Sequence, residues 1–198
     1  MELYIVRHGE TVWNEVGKLQ GSTDIHLNDA GREAARITGE ALKDTHIDRI
    51  YCSPLIRAFE TACLIRGDRE IPIIKDERLK ELCFGNLEGQ VMSEMKADPN
   101  SHFQNFFDAP EKYVPDERGE SLQALCGRTA QFIEEIIIPQ ADECERVMIV
   151  GHGAMNKAIM CYIKKHGIYM LWSGGLQKNC HVIIVDYKDG KFTVIDEE

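Results

Sequence analysis

The chain has 198 residues, 43% of them hydrophobic and 28% charged, proportions of an ordinary soluble globule long enough for one sizeable core. A formal net charge of −10 argues against a nucleic-acid or anionic-membrane partner, yet leaves room for an anionic substrate held by a few buried arginines. The seven cysteines are scattered and odd in number, which offers neither a zinc motif nor a disulfide framework and suits thiols in a reducing cytosol. No export signal or membrane-length apolar run is visible, so a cytoplasmic protein is expected.

In chain order, Leu3-Tyr4-Ile5-Val6 is an unbroken apolar run that stops on Arg7, His8 and Gly9. This reads as a strand buried on both faces, as in a parallel sheet. Ligand chemistry in open α/β sheets gathers beyond the carboxyl ends of strands, which is where Arg7 and His8 fall. A polar, glycine-containing stretch follows. Asn28 or Asp29 then caps a helix with Ala34, Ile37, Ala41 and Leu42 on its apolar side. Residues 48–52 read as a second strand. Ser53-Pro54 reads as cap and first-turn proline of a helix reaching Gly67. Residues 71–74 suggest a short third strand.

The segment from about 85 to 119 breaks this rhythm with Pro99, Pro110, Pro115 and the cluster Phe103, Phe106 and Phe107. It reads as a cap inserted over the site. Ser121 starts a long helix carrying Leu122, Leu125, Thr129, Phe132, Ile133 and Ile136 on one side. Strand 147–150 delivers Gly151-His152-Gly153, a second histidine between glycines, so one site built from both strand ends is expected. A helix from Ala154 to about Lys165 stops at Gly167. Asp189-Gly190 between residues 182–187 and 191–195 signals a two-residue hairpin. The alternation predicts one domain over 1–198, a three-layer α/β/α sandwich. Its central sheet is mostly parallel with an antiparallel edge.

Several ordered stretches resemble the histidine phosphatase superfamily, which includes the phosphoglycerate mutases. They are Arg7-His8-Gly9-Glu10-Thr11-Val12-Trp13-Asn14, Ser53 to Ala62 around Arg57, Leu79 to Gly89 around Glu81, Gly119-Glu120-Ser121-Leu122, and Val150-Gly151-His152-Gly153. Asn179 and the final strands are similar to the family's ending. The resemblance implies that Arg7, Arg57 and His152 surround a phosphate, with Asn14, Gln20, Gly21 and Gly153 as further binding positions. It implies that His8 is the nucleophile and Glu81 the proton donor to the leaving alcohol; Glu77, Glu88 and Glu94 lie nearby as alternative acids. Arginine forks suit phosphoryl oxygens because they bind bidentately and stay charged. No cofactor or metal is expected, since the arginines take the ion's place. His102 is a lesser candidate for facing substrate from the cap.

The expected function is hydrolysis of a small-molecule phosphomonoester through a phosphohistidine. The alternatives are a phosphoglycerate mutase or sugar-bisphosphate phosphatase, and a non-catalytic phosphate-binding scaffold. A mutase needs cations for a carboxylate and a second phosphate, and the cap offers only Lys96, Lys112 and Arg118. Cap phenylalanines favour an apolar alcohol, as in phosphatases resembling the broad-specificity and α-ribazole phosphatases. The sequence assigns no oligomeric state.

Overall fold

In the computed structural model residues 1–197 are described; Glu198, the last residue of the expected domain, lies outside them. The strands are β1 (Glu2–Arg7), β2 (Arg49–Cys52), β3 (Ile73–Lys75), β4 (Arg146–Gly151), β5 (Val182–Lys188) and β6 (Lys191–Asp196). They form one sheet in the order β3-β2-β4-β1-β5-β6. The first four are mutually parallel, and β5 and β6 add an antiparallel edge. At the hairpin, Asp189 and Gly190 have φ of 51° and 74°, the paired positive values of the turn that suits twisted strands.

The helices are α1 (Val12–Glu15), α2 (Asp29–Ala41), α3 (Ile56–Arg66), α4 (Met92–Ala97), α5 (Leu122–Phe132) and α6 (Gly153–Lys164). Strand side chains alternate between two cores. Leu3, Ile5, Val147 and Ile149 face α5 and α6, while Tyr4, Val6, Met148 and Val150 face α2 and α3. The three-layer sandwich with a mostly parallel sheet is the architecture the alternating pattern implied.

Several local expectations change. Ile37 is 62% exposed and Ala41 is exposed; α2 instead buries Gly31, Ala35 and Gly39, a stripe of small residues every four positions. These let the backbones come close: a Cβ on Gly39 would lie 2.8 Å from the Ile65 carbonyl of α3. The α3 helix starts at Ile56 rather than just after Ser53, because its first free N–H groups find other acceptors. Ser53 Oγ accepts from Leu55 N (3.2 Å), and Asp24, distant in sequence, accepts from Ile56 N (2.6 Å). Gly67 ends that helix, as read from sequence.

Strand β3 sits two residues later than expected at its start. Helix α5 begins at its Ser121 cap and runs into a widened i→i+5 turn over Ile133–Ile137. The extra residue in that turn rotates the face, so Ile137 is fully buried and Ile136 only partly. Helix α6 closes on Lys165 in the left-handed conformation (φ 54°), two residues before Gly167.

The start of α2 presses on the chain just after His8. A Cβ on Gly9 would lie 2.6 Å from the Gly31 carbonyl, and one on Gly31 would collide with the backbone of Glu10. Gly127, inside α5, has nothing within 4 Å of its missing Cβ. Gly31→Ala is therefore expected to destabilise by about 1–3 kcal/mol. Gly127→Ala should stabilise by about 0.5–1 kcal/mol. Urea unfolding midpoints at unchanged m-value check both signs.

Candidate active site

Strands β1 and β4 are neighbours in register, Arg7 opposite Gly151, and His8 N donates to Gly151 O (2.9 Å). The two glycine-flanked histidines thus leave the sheet side by side, with ring centroids 5.2 Å apart. Next to them opens a cleft of about 530 Å³. Arg7, His8, Asn14, Gln20, Gly21, Arg57, Glu81 and Gly153 all line it, and His152 is packed against His8 behind the surface.

His8 is almost fully buried. Its Nδ1 lies 2.6 Å from Gly9 O. A carbonyl oxygen only accepts, so Nδ1 carries the proton and Nε2 keeps a free lone pair. Gly9 is fixed in turn by donating its N–H to Thr61 Oγ1 (2.9 Å), and Asn179 Nδ2 donates to His8 O (2.7 Å). Burial above all, then the charges of Arg57 and Arg7, hold His8 well below the usual histidine range. His152 is shifted the same way, by burial and then Arg57 and His8.

Arg57, at 0% exposure, reaches from the first turn of α3 to donate through Nη1 to Thr23 O (2.8 Å) and through Nη2 to Gly21 O (2.6 Å). Burial lowers it to about 10. Arg7 donates through Nη1 to Gln177 O (2.6 Å), and Gln177 is itself held by Asn156 (2.7 Å). Both arginines keep a buried Nε with no partner, and both ring nitrogens of His152 are likewise unpartnered. Buried polar nitrogens of this kind are costly unless a partner completes them.

Asn14 spends its Oδ1 on the cap of α1, accepting from Thr11 N and Oγ1 (both 3.1 Å). Its Nδ2 remains for the cleft. The Gln20-Gly21 segment shows its carbonyl side to Arg57; Gln20 Oε1 is buried without a partner. A Cβ on Gly153 would fall 3.6 Å from Glu81 Oε2 and 3.8 Å from Arg7 Nε, in the space between acid and base groups.

Glu81 follows Lys80 on an extended stretch anchored by the fully buried Leu79 and Leu82. Its Oε1 accepts from Leu82 N (2.9 Å) and Met155 N (3.0 Å), and its Oε2 from Ala154 N (3.1 Å). The carboxyl group therefore sits on the amino end of α6, held there by two of its backbone N–H groups. Glu88 is committed elsewhere. It accepts from Ser22 N (2.8 Å), Ser22 Oγ (2.9 Å), Phe84 N (3.1 Å), Thr23 N (2.8 Å) and Thr23 Oγ1, clamping the loop that holds Arg57.

The remaining wall is largely apolar: Leu19, Phe84, Met92, Phe106, Phe107, Ala154, Trp172 and Leu176, with Lys18. Phe103 is packing only, stacked on Phe106 at 5.0 Å outside the wall. Lys96, Lys112, Arg118 and the exposed His102 do not line the cleft. Lys18, Trp172 and Leu176 escaped the sequence reading. Trp172 and Leu176 lie in a loop without periodicity, tied across the chain by Trp172 Nε1 donating to Phe106 O (2.5 Å).

The profile of the histidine phosphatase superfamily (branch 1) matches residues 3–197. The solved structure of Bacillus stearothermophilus YhfR is 36% identical, with a TM-score of 0.91 over 99% of this chain and 96% of that one. Phosphoserine phosphatase 1 of Hydrogenobacter thermophilus is 30% identical over 184 residues, 93% of this chain and 86% of its own. The 2,3-bisphosphoglycerate-dependent phosphoglycerate mutase of Cytophaga hutchinsonii is 32% identical over 165 residues, 82% of this chain and 77% of its own.

The two buried histidines tie stability to pH. Each is neutral in the fold and takes a proton near pH 6.5 once unfolded. Their contribution is complete above pH 6.5 and falls as pH drops below it, by up to about 1.4 kcal/mol per pH unit for each. Unfolding free energies between pH 5 and 7 should show this slope. It should be shallower in His8→Asn and in His152→Asn, the carboxylate contribution being common to all three.

Proposed function

The chain belongs to the histidine phosphatase superfamily, and from that membership we propose that it hydrolyses small-molecule phosphomonoesters through a phosphohistidine on His8. The observation that carries this reading is the set of unpartnered buried nitrogens, Arg7 Nε, Arg57 Nε and those of His152, on the side chains beside a His8 whose Nε2 lone pair is free.

The chemistry follows from the placement. Arg7, Arg57 and Asn14 bind the phosphoryl oxygens, with His152 on the His8 side. Neutral His8 attacks phosphorus through Nε2 as the bond to the alcohol oxygen breaks. Glu81 gives its proton to that oxygen, so a free alcohol leaves rather than an alkoxide. Gly9 O keeps hold of the Nδ1 proton and so stabilises the charged phosphoimidazole. Water then attacks phosphorus, Glu81 takes its proton, the P–N bond breaks, and phosphate departs from regenerated neutral His8. The cationic side chains supply the charge neutralisation that a metal supplies in other phosphoryl transferases, so the reaction is metal-independent.

The segment 85–119 serves as the cap within a single domain, and its Phe106 and Phe107 favour an apolar alcohol. The mutase reading is favoured by the Cytophaga relative. Against it, Lys18 is the one further cation among the described residues on the cleft wall, where a carboxylate and a second phosphate require more. All seven cysteines are unpaired and no described helix is long and apolar enough to cross a membrane, which fits a cytoplasmic enzyme.

Labelled substrate, quenched during turnover in the presence of a chelator, should leave a phosphoenzyme that is labile in acid and stable in base. His8→Ala should lose it; label on serine, cysteine or aspartate overturns the mechanism. Glu81→Gln should slow hydrolysis of benzyl phosphate by roughly 10²–10⁴-fold. The loss should be much smaller for 4-nitrophenyl phosphate, whose leaving group barely needs a proton. Equal losses on the two substrates would remove Glu81 from the acid role.

A further inference from the structure

Residues 78–83 have no ladder partner for their carbonyls, yet the Glu81 carboxyl has to be held within a fraction of an ångström for proton transfer. One side chain takes up three of those carbonyls. Arg128, on α5 and only 19% exposed, donates through Nη1 to Arg78 O (2.6 Å) and Lys80 O (2.7 Å) and through Nη2 to Glu81 O (3.1 Å). Its Nε and the second Nη2 hydrogen form a fork to Glu120 Oε1 (2.7 Å) and Oε2 (2.9 Å). All five guanidinium donors are therefore used.

Glu120 completes the brace. Its backbone N donates to Cys83 O (2.7 Å), and its Oε2 accepts from Cys83 N (3.4 Å). Arg128 does not line the cleft.

We propose that Arg128, locked by Glu120, is a positioning residue: it fixes the Glu81 backbone and so sets how well the Glu81 carboxyl meets the leaving oxygen. This rests on the acid role proposed for Glu81. Three carbonyls on four consecutive residues wrap the chain around one planar group. The Glu81 carbonyl is held by α5, and its carboxyl by the start of α6 on the cleft. Lysine has three donors and no plane, so it cannot reproduce five fixed directions. The side chain is thereby distinguished from a generic structural cation by which substrates suffer when it is lost.

The experiment compares kcat/KM for benzyl phosphate and 4-nitrophenyl phosphate in the full-length wild type, Arg128→Lys, Glu81→Gln and the double variant. Arg128→Lys should lose on the order of 10²-fold with benzyl phosphate, the cost of an ångström's misplacement. It should lose far less with 4-nitrophenyl phosphate and add little to Glu81→Gln with either substrate. Glu120→Gln, which keeps the arginine but loosens its fork, should show the same split in smaller measure; it serves as the test where Arg128→Lys does not fold. Equal losses on both substrates, or losses that multiply in the double variant, overturn the proposal. If Glu81→Gln itself shows no split, the acid role falls and this inference with it, a result distinguishable because it needs no Arg128 variant.

Discussion

Four groups that are cationic or can become so lie together, Arg57, His8 and His152 buried and Arg7 half-buried, and among the described residues none has a carboxylate within ion-pair distance. Burial of unpaired charge is among the most expensive arrangements in a protein. The structure meets the cost in two ways. The histidines stay neutral, and the arginine forks are spent on backbone carbonyls of Gln177, Thr23 and Gly21. Those carbonyls belong to irregular loops, so the loops themselves are arranged around the arginines. Among the buried atoms of these four side chains, one Nε on each arginine and the two His152 nitrogens remain without a partner.

The same constraint explains why so much machinery stands one step behind the cleft. Glu88 receives donors from Ser22 and Thr23 and thereby holds the Gly21 and Thr23 carbonyls under Arg57. Backbone pairing of Leu19 with Gly89 and Gln90 stitches that loop to the segment carrying Glu88. Thr61, one turn beyond Arg57 on α3, accepts from Gly9 and donates to Arg57 O, linking the His8–Gly9 turn and the arginine through a single hydroxyl. Glu81 and Arg57 are thus held by separate braces, Arg128 with Glu120 along the backbone of the one and Glu88 with Thr61 around the other.

Opposite this polar floor, the aromatic cluster supplies shape. Phe106 packs against Phe103, Tyr113 and Trp172 at 5.0 Å each, and Phe107 against Trp172 at the same distance. The mutual packing holds Phe106 and Phe107 on the wall without helix or strand. An apolar wall facing a cationic floor lowers the local dielectric and strengthens every interaction with a bound oxyanion.

The sequence by itself determined the sheet-forming runs along the chain, the helices between the parallel ones and the final hairpin, because apolar periodicity and glycine or aspartate at turns are local signals. It also determined that Arg7, His8 and His152 leave strand ends, since an apolar run stopping on a polar residue marks the end directly. It misplaced the start of α3, whose cap is Asp24 from a distant loop, and the buried face of α2, where close approach through Gly31, Ala35 and Gly39 outweighs the hydrophobicity of Ile37. The placement of Glu81 on the cleft and of Glu88 under the Ser22–Thr23 loop, the tautomer of His8, the separation of Phe103 from Phe106 and Phe107, and the place of Lys18 and Trp172 on the wall came only with the tertiary structure. Each depends on which donors and acceptors distant segments bring together, and no local pattern encodes a partner that folding alone delivers.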